Sequence, residues 1–281
     1  MRKIIPLLLL TTLISTILIG CVASPKNPPS AQLKSESAVD VDKSWDDIKV
    51  KGKIVVGLDD SFPPMGFRDD KNQIVGFDID FAKAVAEKMG IAVEFKPINW
   101  ESKMLELNGK NIDLIWNGFT VTPAREEEVL FTKPYLENKQ VIVTLKDSGV
   151  KTKADLAGKK IGLQGESSAE DALKKDEATF KAIGEKNIMR FKDNNAAMMD
   201  LKAGRVVAVV LDEVVCRYYI SKSLSDYSIL EEDFGKEMYA VGARKEDKAF
   251  VVQLQKAIDE VKTNGKATEI SKKWFGEDVV K

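Results

Sequence analysis

The pattern of apolar and polar positions changes character twice along the chain. Residues 4–19 are mostly apolar, broken by Pro6, Thr11, Thr12, Ser15 and Thr16, and residues 22–44 are poor in large apolar residues; from Trp45 onward, short apolar runs alternate with amphipathic ones. In that last part KIVVGL (53–58) is a β-branched run and predicts a strand. FDIDFAKAVAEKMG (77–90) puts Ile79, Ala82, Ala86 and Met89 on one helical face with Phe81 and Val85 beside it. Asp78 is the candidate N-cap of that helix and Gly90 its C′ residue. IAVEFKPI (91–98) predicts a strand, WESKMLEL (100–107) a helix and IDLIW (112–116) a strand.

The alternation then restarts. Strands are expected at 139–145, 160–164, 187–191 and 206–211, with helices from Ser168 and over 195–204 between them. A late strand at 237–244 precedes helices at 248–263 and 266–275. Phe250, Leu254, Ala257, Ile258 and Val261 form one apolar stripe on the first of these, a core-facing pattern. The whole is α/β, with largely parallel sheets in two lobes. The first lobe is expected to span 45–142 and 238–281, the second 143–237, with the strands at 139–145 and 237–244 crossing between them. A ligand cleft belongs between such lobes, at the carboxyl ends of the strands.

The two preceding segments read as export and tethering. Arg2-Lys3 followed by an apolar run is a secretory signal pattern. Leu18-Ile19-Gly20-Cys21 resembles the bacterial lipobox, so residues 1–20 are expected to be removed and Cys21 lipidated. An ordinary signal peptide or an uncleaved anchor helix is the alternative. A lipid on Cys21 would hold the protein to a membrane without spanning it. Residues 22–44, rich in Pro, Ser, Lys and Asp, predict a flexible tether with a reach of roughly 25–30 Å.

Composition narrows the chemistry. Lys and Arg number 43 against 44 Asp and Glu, so no basic excess points to a nucleic-acid partner. Histidine is absent, which removes His-based triads and His-ligated metals. The cysteines are Cys21 and Cys216. With Cys21 lipidated, no disulfide and no cysteine zinc site can form, and no metal or cofactor is expected. Cys216, in the apolar EVVCRYYI, reads as a small core residue.

Several strand ends carry unusual residues. LDDSFPPMGF (58–67) delivers Asp59, Asp60 and Phe62, either as a turn or as an acidic, aromatic wall. Trp100 is either core or, with Phe62, one face of a slot. After IDLIW come Asn117-Gly118-Phe119-Thr120, where Gly118 permits close backbone approach and Thr120 offers a hydroxyl. Thr122-Pro123 reads as an N-cap and first helical position, placing Arg125 in the first turn of a short helix. Arg125 there either clamps a carboxylate or pairs with Glu128. In GLQGESSAED (162–171), Ser167 and Glu170 fit a capping box, and Ser168 keeps a hydroxyl and amide at a helix start suited to anions. Asp212, just past an apolar strand, is either a helix cap or an ammonium acceptor. Together these groups outline a free α-amino acid.

These stretches, with IVGFDIDFAKAVAEKMG, NGKNIDLIWNGFTVTPAREEEVLFTKPY, VVLDEV and KATEISKKWFG, resemble the extracytoplasmic solute-binding proteins of polar amino acid ABC importers, bacterial family 3. The resemblance covers about residues 52–277 and implies a periplasmic-binding-protein-like fold of two hinged lobes. It implies that Arg125 clamps the α-carboxylate with Thr120 and Ser168, and that Asp212 and the Gly118 backbone take the α-ammonium. Phe62 and Trp100 would sandwich the side chain and Asp59 would read its tip. Asn117 stands where small residues often occur, and Ser167-Ser168 where Ser-Thr or Thr-Thr is common.

The implied protein is a non-enzymatic, lipid-anchored monomer on the outer face of the bacterial membrane. It binds a free polar L-amino acid (arginine, lysine, glutamine or cystine-like) and serves an ABC permease and its ATPase. The alternatives are a cyclohexadienyl-dehydratase-like enzyme on the same scaffold, with Asp59 or Glu166 as acid, or an amino acid sensory lipoprotein.

Overall fold

The computed structural model describes residues 42–222 and 226–281. The expected leader, Cys21 and the tether up to residue 41 lie outside the described residues. Among those described, no helix is long and apolar enough to cross a membrane.

The chain opens with α1 (Ser44–Lys51), a helix absent from the sequence reading. Its apolar periodicity is weak, and tertiary contacts hold it: Trp45 stacks on Phe250 at 6.5 Å and Ile48 is buried. Asp42 and Ser44, read as the end of the linker, accept hydrogen bonds from the backbone N–H groups of Ala249 and Phe250. Next come β1 (Lys53–Leu58), β2 (Ser61–Phe62), β3 (Gly66–Arg68), β4 (Ile74–Val75), α2 (Phe77–Met89) and β5 (Ala92–Pro97). A 3-10 turn at Trp100–Ser102 leads into α3 (Lys103–Asn108), then β6 (Leu114–Ile115), α4 (Pro123–Glu128) and β7 (Val129–Phe131).

The second lobe contains β8 (Leu136–Leu145), β9 (Ile161–Gln164), α5 (Ser168–Lys175), α6 (Glu177–Ile183), β10 (Ile188–Phe191), α7 (Asn194–Lys202), β11 (Ala208–Asp212), α8 (Glu213–Lys222) and β12 (Tyr227–Tyr239). The chain then returns to the first lobe with β13 (Gly242–Arg244), α9 (Lys248–Thr263) and α10 (Lys266–Phe275). The stripe on α9 is buried at all five expected positions.

Each lobe is built on a five-stranded sheet, ordered β5-β1-β6-β13-β7 in the first and β10-β9-β11-β8-β12 in the second. The sheets are less parallel than expected. β5, β1 and β6 run parallel, as do β10, β9 and β11, but β13 and β7, and β8 and β12, join by antiparallel pairing. The antiparallel half of each sheet is where the chain passes between lobes. The changes of sheet fall at residues 132–135, just ahead of β8, and at 240–241, between β12 and β13. In both sheets the parallel strands end at the cleft, so the residues after β1, β6, β9 and β11 meet there.

Asp78 does not cap α2. The N-cap is Gly76, and the first amides of the helix, on Phe77 and Asp78, donate to the carbonyls of Pro64 and Met65. A nonlocal loop thus satisfies the helix end, and the Asp78 side chain turns into the core. There its carboxylate accepts from the Gly118 amide at 2.7 Å and the Tyr135 hydroxyl at 2.8 Å. Gly90 does end the helix in the left-handed conformation expected. Cys216 is buried, and burial pushes its thiol up to about 12.

Burial pushes Asp78 up to about 7, against the opposing pull of its hydrogen-bond donors. An acid whose folded-state pKa lies above its unfolded value stabilises the fold fully below the unfolded pKa. That contribution is lost as pH rises through the folded pKa. Between pH 5 and pH 8 the wild type should therefore lose about 2–3 kcal/mol that Asp78→Asn does not lose. Urea denaturation at the two pH values measures the difference; equal pH dependence in both proteins would show that Asp78 titrates normally.

Candidate functional site

The sequence after β6 folds into the turn that its chemistry predicts. Thr122 is the N-cap of α4, its hydroxyl accepting from the Arg125 amide at 3.2 Å, and Pro123 occupies the first helical position. This turns the Arg125 side chain back into the protein, where Nη1 donates to the Thr120 carbonyl at 2.9 Å and the guanidinium lies 4.7 Å over the Phe119 ring. Arg125 is 9% exposed, and no carboxylate of the described residues lies within ion-pair distance. The alternative partner Glu128 makes no such pair. The other buried arginine, Arg244, is bound by Asp247 at 2.7 Å and by the carbonyls of Leu107 and Ile112. Burial pulls the Arg125 pKa down, against the attraction of Asp171, Glu237, Asp212 and Glu166.

Asp212 ends β11 on the opposite lobe. One carboxylate oxygen accepts from Tyr239 Oη at 2.5 Å, Asn138 Nδ2 at 2.8 Å and Gln140 Nε2 at 2.9 Å. The two amides also donate to Glu237. Burial, then the neighbouring Glu237, raises the Asp212 pKa well above the usual carboxylate range. No lysine or arginine pairs with it among the described residues. A buried cation without an anion and a buried acid without a cation thus face one cavity from the two lobes.

That cavity is lined by Asp59, Phe62, Trp100, Asn117, Gly118, Arg125, Ser167, Ser168 and Asp212, all predicted, and by Gln164. Thr120 is the one predicted residue outside the lining. Its hydroxyl donates to Ser168 Oγ at 3.0 Å, which also accepts from Gln140 at 3.2 Å. Ser167 Oγ accepts from the Glu170 amide at 3.4 Å, as a capping box requires. The return half differs: the Glu170 carboxylate receives the Glu166 amide, and it is also drawn away by Lys174 and Arg190. Glu166 itself is exposed and does not line the cavity. A wider groove, lined in part by Asp60, Phe67, Tyr218 and Lys222, lies apart from Arg125 and Asp212.

The two acids after β1 part company. Asp60 pairs outward with Arg68 at 2.5 Å and leaves the cavity to Asp59. Asp59 accepts from the Ser61 amide and hydroxyl and from Gln164 Nε2 across the cleft at 2.8 Å. Burial raises its pKa despite these donors. Asn117 accepts from the Asp59 amide at 3.0 Å and so fastens the end of β6 to the end of β1. Trp100 both lines the cavity and packs edge-on against Phe119, with centroids 5.9 Å apart.

The lobes touch directly. Besides Asp59–Gln164 and Thr120–Ser168, Lys103 on α3 donates to the Glu166 carbonyl at 3.0 Å. Burial, then the nearby Arg125, pushes the Lys103 pKa down to about 8. Sequence reasoning missed Lys103, Gln164, Asn138, Gln140, Glu237 and Tyr239. A signal existed for Asn138 and Gln140: two amides at alternate positions of a strand share a face.

Several known proteins to which this chain is similar are named for the amino acids they bind. The chain is 28% identical over 236 residues to the L-cystine-binding protein TcyJ of Escherichia coli, covering 83% of this chain and 86% of that one. It is 30% identical over 229 residues to the arginine-binding extracellular protein ArtP of Bacillus subtilis, covering 80% and 87%. A solved ABC uptake transporter substrate-binding protein from Streptococcus pneumoniae, with bound histidine, superposes with a TM-score of 0.82 at 39% identity over 85% of this chain and 98% of that one. The arginine-, lysine-, histidine-binding protein ArtJ of Geobacillus stearothermophilus gives 0.74 at 33% identity, over 80% and 96%. The sequence model of one family matches residues 54–277, and the chain belongs to that family, the bacterial extracellular solute-binding proteins, family 3.

Proposed function

We propose that this protein captures a polar L-amino acid outside the cytoplasm and delivers it to an ABC importer, without chemical change. One observation carries the reading: Arg125 and Asp212, buried and lacking ion-pair partners, line one cavity from opposite lobes. A charge held out of water is costly unless it is paired. A zwitterion supplies both partners at once, its carboxylate to the Arg125 fork and its ammonium to Asp212 and the Gly118 carbonyl. Thr120, Ser167 and Ser168 would add hydroxyls and an amide at the carboxylate end. Phe62 and Trp100 would flank the side chain, with Asp59 and Gln164 at its tip. An acidic, aromatic slot suits arginine, lysine, glutamine, histidine or cystine.

Binding proceeds in this reading by opening and closing about residues 132–135 and 240–241. Opening breaks Thr120–Ser168, Asp59–Gln164 and Lys103–Glu166; closing around the ligand restores a two-lobed surface for a permease powered by its ATPase. Lobe 1 would span 45–135 and 240–281 and lobe 2 136–239, since β8 and β12 lie wholly in the second sheet and move the boundaries from the expected 142 and 238, with a lipid on Cys21 and the residues after it keeping the monomeric body near the membrane. The exposure of Glu166 leaves the dehydratase-like alternative with Asp59 as its acid, held by Ser61 and Gln164.

A thermal-shift series over the amino acids, cystine and ornithine, on protein freed of co-purified ligand, should single out a polar member. At 100 times its Kd that ligand should raise the Tm by about 5–10 °C. No shift with any of them would remove the assignment. Arg125→Met should weaken binding about 100-fold or more. It should leave the ligand-free Tm equal or higher, because it deletes a buried, unpaired charge. Calorimetric titration reads the first effect and a melting curve the second; retained affinity would contradict the role of Arg125.

A further inference from the structure

Asp78 is 1% exposed and lies outside the cavity, yet it grips the cavity wall. Its Oδ2 holds the Gly118 amide and its Oδ1 the Tyr135 hydroxyl. The groups facing it are neutral: the Gly118 peptide, Tyr135 and the Trp116 indole. The charges of the adjoining helix surfaces are engaged elsewhere, with Lys273 on α10 bound to Asp80 on α2 at 2.6 Å. A carboxyl group buried without a cation is an expensive way to fill space, and a leucine of the same shape would pack there without desolvation cost.

What the carboxylate holds explains its position. Gly118 has φ +57°, and a Cβ added to it would lie 2.9 Å from Phe62 Cε1 and 3.0 Å from Tyr239 Cε2. The Gly118 peptide is thus boxed by two rings on its Cα side and held through its amide by Asp78. Tyr135 stands immediately before β8, and its amide donates to the Tyr239 carbonyl at 2.9 Å. Tyr239 closes β12, and its hydroxyl reaches Asp212. One line of direct contacts therefore runs from Gly118 through Asp78, Tyr135 and Tyr239 to Asp212. It joins the first-lobe wall of the cavity to the second-lobe acid through Tyr135, in one segment that connects the lobes, and Tyr239, at the edge of the other.

We propose that Asp78 is a positioning residue of the binding site, fixing the Gly118 peptide and tying it to the two lobe-connecting segments so that the half-sites stay in register. This rests on the reading of the cavity as an amino acid site. Asp78→Leu removes the acceptor at nearly constant shape, Asp78→Asn keeps one acceptor for Gly118, and Val85→Ala truncates a buried residue elsewhere on α2 as a stability control. Amide exchange of Gly118 is followed by NMR in the ligand-free proteins, and Kd is measured by calorimetry with L-arginine, L-histidine and L-cystine in turn.

Asp78→Leu should speed Gly118 exchange at least tenfold beyond any global change and raise Kd at least tenfold. Asp78→Asn should recover most of both losses, while Val85→Ala should lower the Tm and leave Kd and Gly118 exchange near wild type. An Asp78→Leu protein with wild-type Kd overturns the proposal, whatever its Tm or exchange. So does a raised Kd with Gly118 still protected. If the wild type binds none of the three probes, Kd is measured with the member that the thermal-shift series singles out; if no amino acid binds, the amino acid reading fails, and Gly118 exchange alone decides whether Asp78 positions that peptide. Asp78→Ala makes the same comparison if Asp78→Leu does not fold.

Discussion

A charged side chain taken out of water must find an opposite charge or a dense set of dipoles, and several buried charges among the described residues find an opposite charge. Asp113 has Lys51 at 2.7 Å, Arg244 has Asp247, and Glu170 has Lys174 and Arg190. Arg125 and Asp212, like Asp59, Asp78 and Lys103, have no such partner. Arg125 is held by a carbonyl and a ring, and Asp212 by two amides and a phenol with the Glu237 carboxyl group beside it. The fold thus sets a buried cation and a buried acid on two lobes, each without an opposite charge among the described residues, and the proposed zwitterionic ligand would supply both partners.

The rest of the architecture serves to keep those two charges facing each other. Parallel strands aim their carboxyl ends at the cleft, and the antiparallel halves of the sheets carry the chain between lobes. The polar contacts across the cleft are few and individually weak, of the order of 1 kcal/mol each. They are suited to forming and breaking as lobes move. Lys103 adds a bias of its own, since its ammonium sits near Arg125 and bonds only to carbonyls. The nearby acids Glu166, Asp171 and Glu128 offset part of that repulsion.

Much of this was legible where chemistry is local. The Thr122-Pro123 start of α4 and the stripe of α9 depend on neighbours in sequence, and both form as read. The cavity lining was legible for the same reason, because its residues sit at strand ends with telltale side chains. Asp78 was misread because the α2 amides are satisfied by Pro64 and Met65, a loop no local rule identifies. Asp60 looked like a twin of Asp59, but it lies in the turn between β1 and β2, where Arg68 of β3 draws it outward. The stretch YSILEEDFGKE gave no strand signal because β12 shifts register between Ile229 and Asp233 and again before Lys236, which breaks the alternation. Gln164, Glu237 and Tyr239 became visible as site residues only when pairing across the cleft and between β8 and β12 was known.

The central claim is that the cleft reads both ends of an amino acid by two buried, oppositely charged groups. Calorimetric titration with the best-binding amino acid, its methyl ester and its N-acetyl derivative tests this directly. Tight binding of the parent is expected, with at least a 100-fold loss for each derivative, because each deletes one of the two charges of the ligand. A derivative that binds as tightly as the parent would contradict it.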